Sequence, residues 1–163
     1  MKLDIEPHSA TEPTIVMRKT LEAPRELVWA VLTDPKHVAR WYGGHGFENP
    51  RCEMDVRAGG RWRHVMRTPD GAEHRMEFVF VEVVRPERLV WRSAEPGPPG
   101  GGYRDNVMTV TLEEDGRRTR WKLVTRFRSL ADRDAALGVG FTDVLGQGTE
   151  KVEAILRELG GDP

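Results

Sequence analysis

The middle of the chain alternates between apolar and polar residues, as expected for strands that have one covered face. In the stretch RWRHVMR, the side chains of Trp62, His64 and Met66 fall on one face and the arginines fall mostly on the other. The stretches NVMTVTLEE and TRWKLVTRF further along the chain repeat this alternation. A period of two predicts an antiparallel sheet with one covered and one wet face. Between residues 52 and 128 we expect about six such strands.

Helical patterns flank this sheet on both sides. A first strand at residues 14–22 is followed by APRELVWAVLT, whose apolar residues fall on one face of a helix. Asp34 followed by Pro35 is the start signal of a second, short helix. From Ser129 onward, apolar residues recur every three or four positions, which predicts a long C-terminal helix. The glycines at residues 138–148 predict that this helix is bent or broken at its start.

Length and composition favour a single domain. The 163 residues suit one core, with a flexible N-terminal arm at residues 1–13 and one domain at residues 14–160. The formal net charge of −1 argues against general nucleic-acid binding. The single cysteine, Cys52, excludes an internal disulfide. No stretch approaches the ~18 apolar residues of a membrane span, and the N-terminus lacks the apolar centre of a signal peptide, so we expect a cytoplasmic protein.

The loop sequence RWYGGHGFENP raises the question of chemistry at His45. The residue could carry a proton or hold a ligand, but flanking glycines leave it mobile, and we favour an exposed loop residue. Gly43, Gly44 and Gly46 are explained by tight turning of the backbone. A phosphate-binding loop is disfavoured because the glycines follow a helix instead of opening one and no P-loop lysine is present.

His64 is the better candidate for chemistry, because the period of two points it inward. A histidine in an apolar pocket can act as a general acid or base, or can orient a ligand with one hydrogen bond. The alternative, which we favour, is that neighbouring groups satisfy its ring nitrogens. His74 shares the inward face, but two histidines make a poor zinc site without a third ligand, and the chain has no HxH or HExxH spacing. We therefore predict no metal and no other cofactor, and no catalytic residue beyond the weak candidate His64.

The inward-facing side chains are unusually rich in tryptophan, methionine and phenylalanine. They could form an ordinary core, but as a set they favour the lining of an apolar pocket that contains a few polar groups. The polar members are Tyr42, His64 and Asn106. The residues predicted to contact a ligand are Trp41, Tyr42, Trp62, His64, Met66, Met76, Phe78, Trp91, Asn106, Met108, Trp121, Phe141 and Leu145.

Several phrases of the sequence, taken together and in order, resemble a known family. They are LEAPRELVWAVLTDPKHVARWYGGHGFENP, DVRAGGRWRHVM, PDGAEH, VEVVRPERLVW and TVTLEEDGRRTRWKL. The chain resembles the START-like (SRPBCC) superfamily from about Thr14 to Leu159. Within it, the chain is similar to the bacterial branch related to the C-terminal domain of activators of the ninety-kilodalton heat-shock chaperone's ATPase (the AHSA family). The resemblance implies an α+β helix-grip fold, a curved antiparallel sheet wrapped around a long C-terminal helix, with a cavity for apolar ligands.

Three functions follow from this resemblance and from the inward-facing residues. The first is binding of a small apolar, aromatic or lipid-like molecule between sheet and helix, with the loops at 43–46 and 95–105 as mobile gates. The second is a co-chaperone-like or regulatory module whose partner would be a chaperone ATPase, although only a short arm stands where such activators usually carry a further domain. The third is a polyketide cyclase or aromatase-like enzyme that uses His64. We expect a monomer or a homodimer.

Overall fold

The structure is a computed structural model that describes residues 3–95 and 104–160. Its strands, in chain order, are β1 (Asp4–Ile5), β2 (Thr14–Leu21), β3 (Glu48–Met54), β4 (Arg61–Arg67), β5 (Glu73–Val84), β6 (Arg88–Ser93), β7 (Val107–Asp115) and β8 (Arg118–Arg126). Its helices are α1 (Arg25–Thr33), α2 (Pro35–Trp41), α3 (Leu130–Gly138) and α4 (Phe141–Glu158).

The strands form one 8-stranded sheet in the order β1-β2-β8-β7-β6-β5-β4-β3, and every neighbouring pair is antiparallel. The chain enters β2, leaves the sheet for α1 and α2, and then runs through β3 to β8 as a meander that returns beside β2. The sheet is curved, and α4 packs on its covered face. This arrangement confirms the helix-grip fold and the six strands predicted after the second helix.

The covered face of the sheet follows the alternation of the sequence. In β2 the side chains of Ile15, Met17, Lys19 and Leu21 are buried, and the residues that alternate with them are more exposed. On α4, Val152 and Ile155 are buried against this face. The apolar residues among them belong to one hydrophobic core between the sheet and the helices. The removal of this apolar surface from water is the main stabilising term of the fold.

The N-terminal arm is tied to the domain by backbone contacts, which the sequence did not indicate. The two residues of β1 pair with Arg18 and Met17 of β2 and extend the sheet by one short strand. The buried guanidinium of Arg133 donates hydrogen bonds to the carbonyl oxygens of Ser9 and Glu12. Both contacts use the backbone of the arm, so they leave no hydrophobic period in its sequence.

The C-terminal helical region is divided into α3 and α4, at the place where the glycines predicted a break. Ser129 caps α3 by accepting a hydrogen bond from the backbone N–H of Asp132, at 3.1 Å. Gly140, which precedes α4, has a φ of 83°, in the left-handed region that favours glycine. The turn at Gly140 lets the chain change direction between the two helices, so that α4 lies against the sheet.

A buried ion pair joins β2 to α4. The side chain of Lys19 is 3% exposed, and its Nζ lies 2.6 Å from Oε1 of Glu153. The same ammonium donates a hydrogen bond to Oγ1 of Thr149, at 3.0 Å. A buried ammonium group is costly unless it is paired and hydrogen-bonded, so this pair holds α4 in one register against the sheet.

Candidate functional site

A pocket of about 800 Å³ lies between the covered face of the sheet, α4 and the end of α2. The structure brings together around it every residue that the sequence predicted to contact a ligand: Trp41, Tyr42, Trp62, His64, Met66, Met76, Phe78, Trp91, Asn106, Met108, Trp121, Phe141 and Leu145. Their shared location is a geometric fact, whereas binding of a ligand by them stays a prediction.

Strand register explains why residues far apart in sequence meet at this pocket. In the antiparallel pair of β4 and β5, Trp62 lies opposite Phe78 and His64 lies opposite Met76. Side chains that are directly opposite each other point to the same face of a sheet. Each cross-strand pair therefore adds two side chains to the pocket wall, and the alternation of the sequence was sufficient to predict them.

Trp62 is the centre of an aromatic cluster on the floor of the pocket. Its ring centroid lies 4.7 Å from that of Phe78, 5.7 Å from that of Trp91 and 5.6 Å from that of Tyr42, where the rings meet edge to face. These separations are typical of favourable aromatic pairs. Because the indole of Trp62 is almost completely buried, the cluster forms a rigid apolar surface.

His64 is held by hydrogen bonds at both ring nitrogens. Trp62 Nε1 donates to His64 Nδ1 at 3.1 Å, which places the imidazole proton on Nε2. His64 Nε2 then donates to Oδ1 of Asn49 at 2.7 Å. The residue is 2% exposed, and burial lowers its pKa to about 4. His64 is therefore neutral near pH 7 and is satisfied by its neighbours, which is the alternative that the sequence analysis favoured.

Asn49 completes this network and was missed by the sequence analysis. Its Nδ2 donates to the carbonyl oxygens of Ala39, at 2.9 Å, and Tyr42, at 3.0 Å. These carbonyls belong to the last turn of α2 and to the residue after it, so Asn49 fixes the end of α2 to the sheet beneath it. No sequence signal marks Asn49, because its partners come from α2, from β4 and from the residue that follows α2.

Tyr42 presents its hydroxyl group inside the pocket. The hydroxyl donates to the thioether sulfur of Met76 at 3.7 Å, and the phenol ring lies 4.3 Å from the imidazole of His64, centroid to centroid. Burial raises the pKa of Tyr42 above its ordinary value; Cys52 acts in the same direction, and the guanidinium of Arg104 opposes them. The phenol is consequently a neutral hydrogen-bond donor at physiological pH.

The glycine-rich loop after α2 is fastened to α4. The ring of His45 is exposed, as expected, and its Nε2 lies 3.2 Å from Oε2 of Glu150. The backbone N–H of His45 donates to Oε1 of Gln147 at 2.8 Å, and Lys151 Nζ donates to the carbonyl oxygen of Gly44 at 2.9 Å. The loop also carries Phe47 to the pocket wall. These bonds anchor the loop that the sequence predicted to be a mobile gate.

The pocket is also bordered by the junction of α3 and α4, which sequence reasoning did not identify, and by the second predicted gate. Val139, at the junction of α3 and α4, is 62% exposed and lines the pocket. Ser93 also lines it, as do Glu95 and Arg104, which lie within the second predicted gate at residues 95–105. Residues 96–103 of that gate lie outside the described residues.

Other candidate chemistry finds no support in the described part of the chain. Within residues 3–95 and 104–160, no group of three or more His, Cys, Asp or Glu side chains could hold a metal ion. His74 lies opposite Met66, and not opposite His64, in the strand register. Burial raises the pKa of the Cys52 thiol to about 11, so the thiol is protonated. No helix in the same residues is long and apolar enough to cross a membrane.

Comparison with known proteins assigns the chain to a family. The family model described as "Activator of Hsp90 ATPase homolog 1-like protein" matches residues 22–157, well over half of the chain. The chain therefore belongs to this family, as its sequence phrases predicted. No curated protein matches it.

Solved structures share the fold at low sequence identity. A protein from Nitrosomonas europaea superposes with a TM-score of 0.84 at 24% identity, covering 93% of this chain and 97% of its own. A protein from Arthrobacter aurescens gives 0.84 at 23% identity, covering 95% and 91%. An AHSA1-like protein from Aeromonas hydrophila gives 0.69 at 22% identity, covering 87% and 93%. These likenesses show the fold alone; it is membership of the family, together with this fold, that supports a ligand-binding or regulatory module in general.

Proposed function

We propose that this protein binds a small apolar or amphipathic molecule in the pocket between the sheet and α4. The observation that carries the proposal is the pocket itself, which is lined mainly by aromatic, methionine and aliphatic side chains, with polar and charged side chains making up the rest. Its volume of about 800 Å³ falls in the range of small-molecule sites. The aromatic cluster around Trp62 supports the proposal further, because it offers a rigid apolar surface to a flat or flexible hydrocarbon.

Burial of the ligand would supply the driving force. A molecule that buries roughly 300 Å² of apolar surface gains about 7.5 kcal/mol at ~25 cal/mol per Å². Association entropy removes part of this gain. The apolar wall therefore provides the bulk of the affinity, and the polar groups at the pocket provide orientation.

Native mass spectrometry of the purified protein, before and after exposure to a library of lipids and aromatic compounds, tests the proposal. We expect a retained or added small molecule, with affinities then measured by calorimetry. Val144 lines the pocket from α4, so Val144→Trp should fill the space and abolish binding. Leu159 is exposed and does not line the pocket, so Leu159→Trp is the matched control. If no compound binds, or if Val144→Trp binds like the control, the proposal is wrong.

A second candidate function is regulation of a chaperone ATPase, which family membership favours. Its test is whether the purified protein binds a purified ninety-kilodalton chaperone and raises its ATP turnover. An unchanged turnover at saturating protein would exclude this role. Localisation in the cytoplasm and the oligomeric state, monomer or homodimer, stay predictions of the sequence.

We propose no catalytic role for His64. Its two ring nitrogens are occupied by Trp62 and Asn49, and a general base needs a nitrogen within hydrogen-bond reach of the substrate proton. A cyclase-like reaction that depends on His64 would require this network to open first.

A further inference from the structure

The hydroxyl of Tyr42 has a poor internal partner. Its acceptor is the thioether sulfur of Met76, at 3.7 Å, and thioethers are weak acceptors. Buried hydroxyl groups normally find a good acceptor. A ligand oxygen placed in the pocket would be a better acceptor than this sulfur, so the phenol is suited to donate to a bound molecule.

Three other polar side chains around the pocket, those of His64, Thr149 and Ser93, already have strong partners. Both ring nitrogens of His64 are engaged. The hydroxyl of Thr149 donates to the carbonyl oxygen of Gly146 at 2.7 Å and accepts from Lys19. The hydroxyl of Ser93 donates to the carbonyl oxygen of Glu95 at 2.8 Å. Among these groups, the Tyr42 hydroxyl forms the weakest internal hydrogen bond, so it loses the least free energy when it donates to a ligand instead.

One positive charge at the pocket, that of Arg104, favours a negative ligand group beside Tyr42, whereas burial disfavours one. Arg104 lines the same pocket, and its guanidinium acts on the Tyr42 phenol in the direction that favours negative charge. Glu77, an acidic residue at the pocket, is neutralised by Arg61 at 2.8 Å and Arg63 at 3.0 Å. Because Arg104 is itself exposed to solvent, an anion beside it would keep part of its hydration, which lowers the cost of burying its charge.

We propose that the ligand is an apolar carboxylic acid, bound with its hydrocarbon or aromatic body along the Trp62 cluster and its carboxylate between Tyr42 and Arg104. This inference rests on the proposed function and narrows it to one ligand class. Tyr42 Oη donates to one carboxylate oxygen, and Arg104 supplies the compensating charge. Met76 then no longer accepts a hydrogen bond and serves only as part of the apolar wall.

Pairs of ligands that share an apolar body but differ in the carboxylate measure the contribution of the carboxylate to the affinity. Calorimetry at pH 7.5 would compare 2-naphthoate with its methyl ester, and decanoate with decanol. We expect each acid to bind about tenfold more tightly than its neutral partner, since a hydrogen bond to a charged group is worth about 1.5–3 kcal/mol and 1.4 kcal/mol is about tenfold.

Two variants and two controls identify the residues responsible. Tyr42→Phe should weaken the acids about tenfold while the melting temperature changes little. Arg104→Gln should remove the preference for acids over neutral partners. Arg117→Gln is the matched control, because Arg117 is exposed in the turn between β7 and β8 and does not line the pocket. Met76→Leu keeps the apolar wall and should leave acid binding intact.

The outcomes distinguish this inference from the function beneath it. If the neutral compounds bind as tightly as the acids, or if Tyr42→Phe and Arg104→Gln behave like Arg117→Gln, the carboxylate assignment is wrong while ligand binding stands. If none of the four compounds binds and the library screen is also empty, the proposed function fails and this inference fails with it.

Discussion

Replacing His64 by glutamine should make the stability of this protein less dependent on pH. The imidazole has an ordinary pKa of 6.5, and burial lowers it to about 4 in the folded protein. Protonation below pH 6.5 therefore favours the unfolded chain, in which the ring is solvated. The stability contributed by neutral His64 is complete above pH 6.5 and is lost as the pH falls through 6.5 toward 4.

The size of this effect follows from the pKa difference. Each pKa unit is worth about 1.4 kcal/mol, so wild-type protein should lose roughly 3 kcal/mol through His64 between pH 7 and pH 4. Because His64 is 2% exposed, solvent screening removes little of this amount. Below about pH 4 the loss through His64 levels off, since both states then carry the proton.

Urea unfolding at half-unit steps from pH 7.5 to pH 4 measures this loss in wild type and in His64→Gln. Glutamine offers one donor and one acceptor to the same network but does not titrate. The other histidines and the surface carboxylates are common to both proteins, so their contributions cancel in the difference. We expect the two free energies of unfolding to converge by roughly 3 kcal/mol toward pH 4. Parallel pH profiles would refute the assignment of a neutral, buried His64.

Four further substitutions test other features of the structure by urea unfolding. Thr125 has a buried hydroxyl without a hydrogen-bond partner among the described residues, so Thr125→Val should stabilise the protein by about 1 kcal/mol; a loss would show that the hydroxyl is satisfied. A Cβ at Gly60 would lie 1.9 Å from the carbonyl oxygen of Asp55, so Gly60→Ala should lower the free energy of unfolding by about 3 kcal/mol. Gly138 has open space around it, so the control Gly138→Ala should raise that free energy by up to ~1 kcal/mol. Equal effects of the two substitutions would contradict the clash at Gly60. Lys19→Met breaks the buried ion pair to α4 and should cost about 3 kcal/mol, and a neutral result would show that the pair adds no net stability.

The sheet and its covered face could be predicted because strand alternation is a local signal. Trp62, Met66, Met76 and Phe78 alternate with polar residues, and a period of two assigns each to a face without knowledge of its partner. The same rule pointed His64 inward. The broken C-terminal helix was also predictable, since glycines in a helical period carry a known cost.

The remaining features depend on contacts between distant parts of the chain. Asn49 is important because its amide reaches both α2 and β4, and no residue near it in sequence signals this. Val139 lies at the pocket rim because the chain turns at Gly140, and no local sequence pattern indicates the direction of that turn. Lys19 has the same parity as Ile15 and Met17, so alternation alone predicts that it points inward. Its charge favours the opposite prediction, because a charged side chain is normally expected on an exposed face.

The clustering of tryptophans gives the protein a built-in optical reporter. Of its five tryptophans, Trp41, Trp62, Trp91 and Trp121 border the pocket, and Trp29 does not. The indoles of Trp62 and Trp91 lie 5.7 Å apart, close enough to exchange excitation energy. Emission from the unlabelled protein is therefore weighted toward the pocket, and its wavelength reports whether water or an apolar guest fills that space.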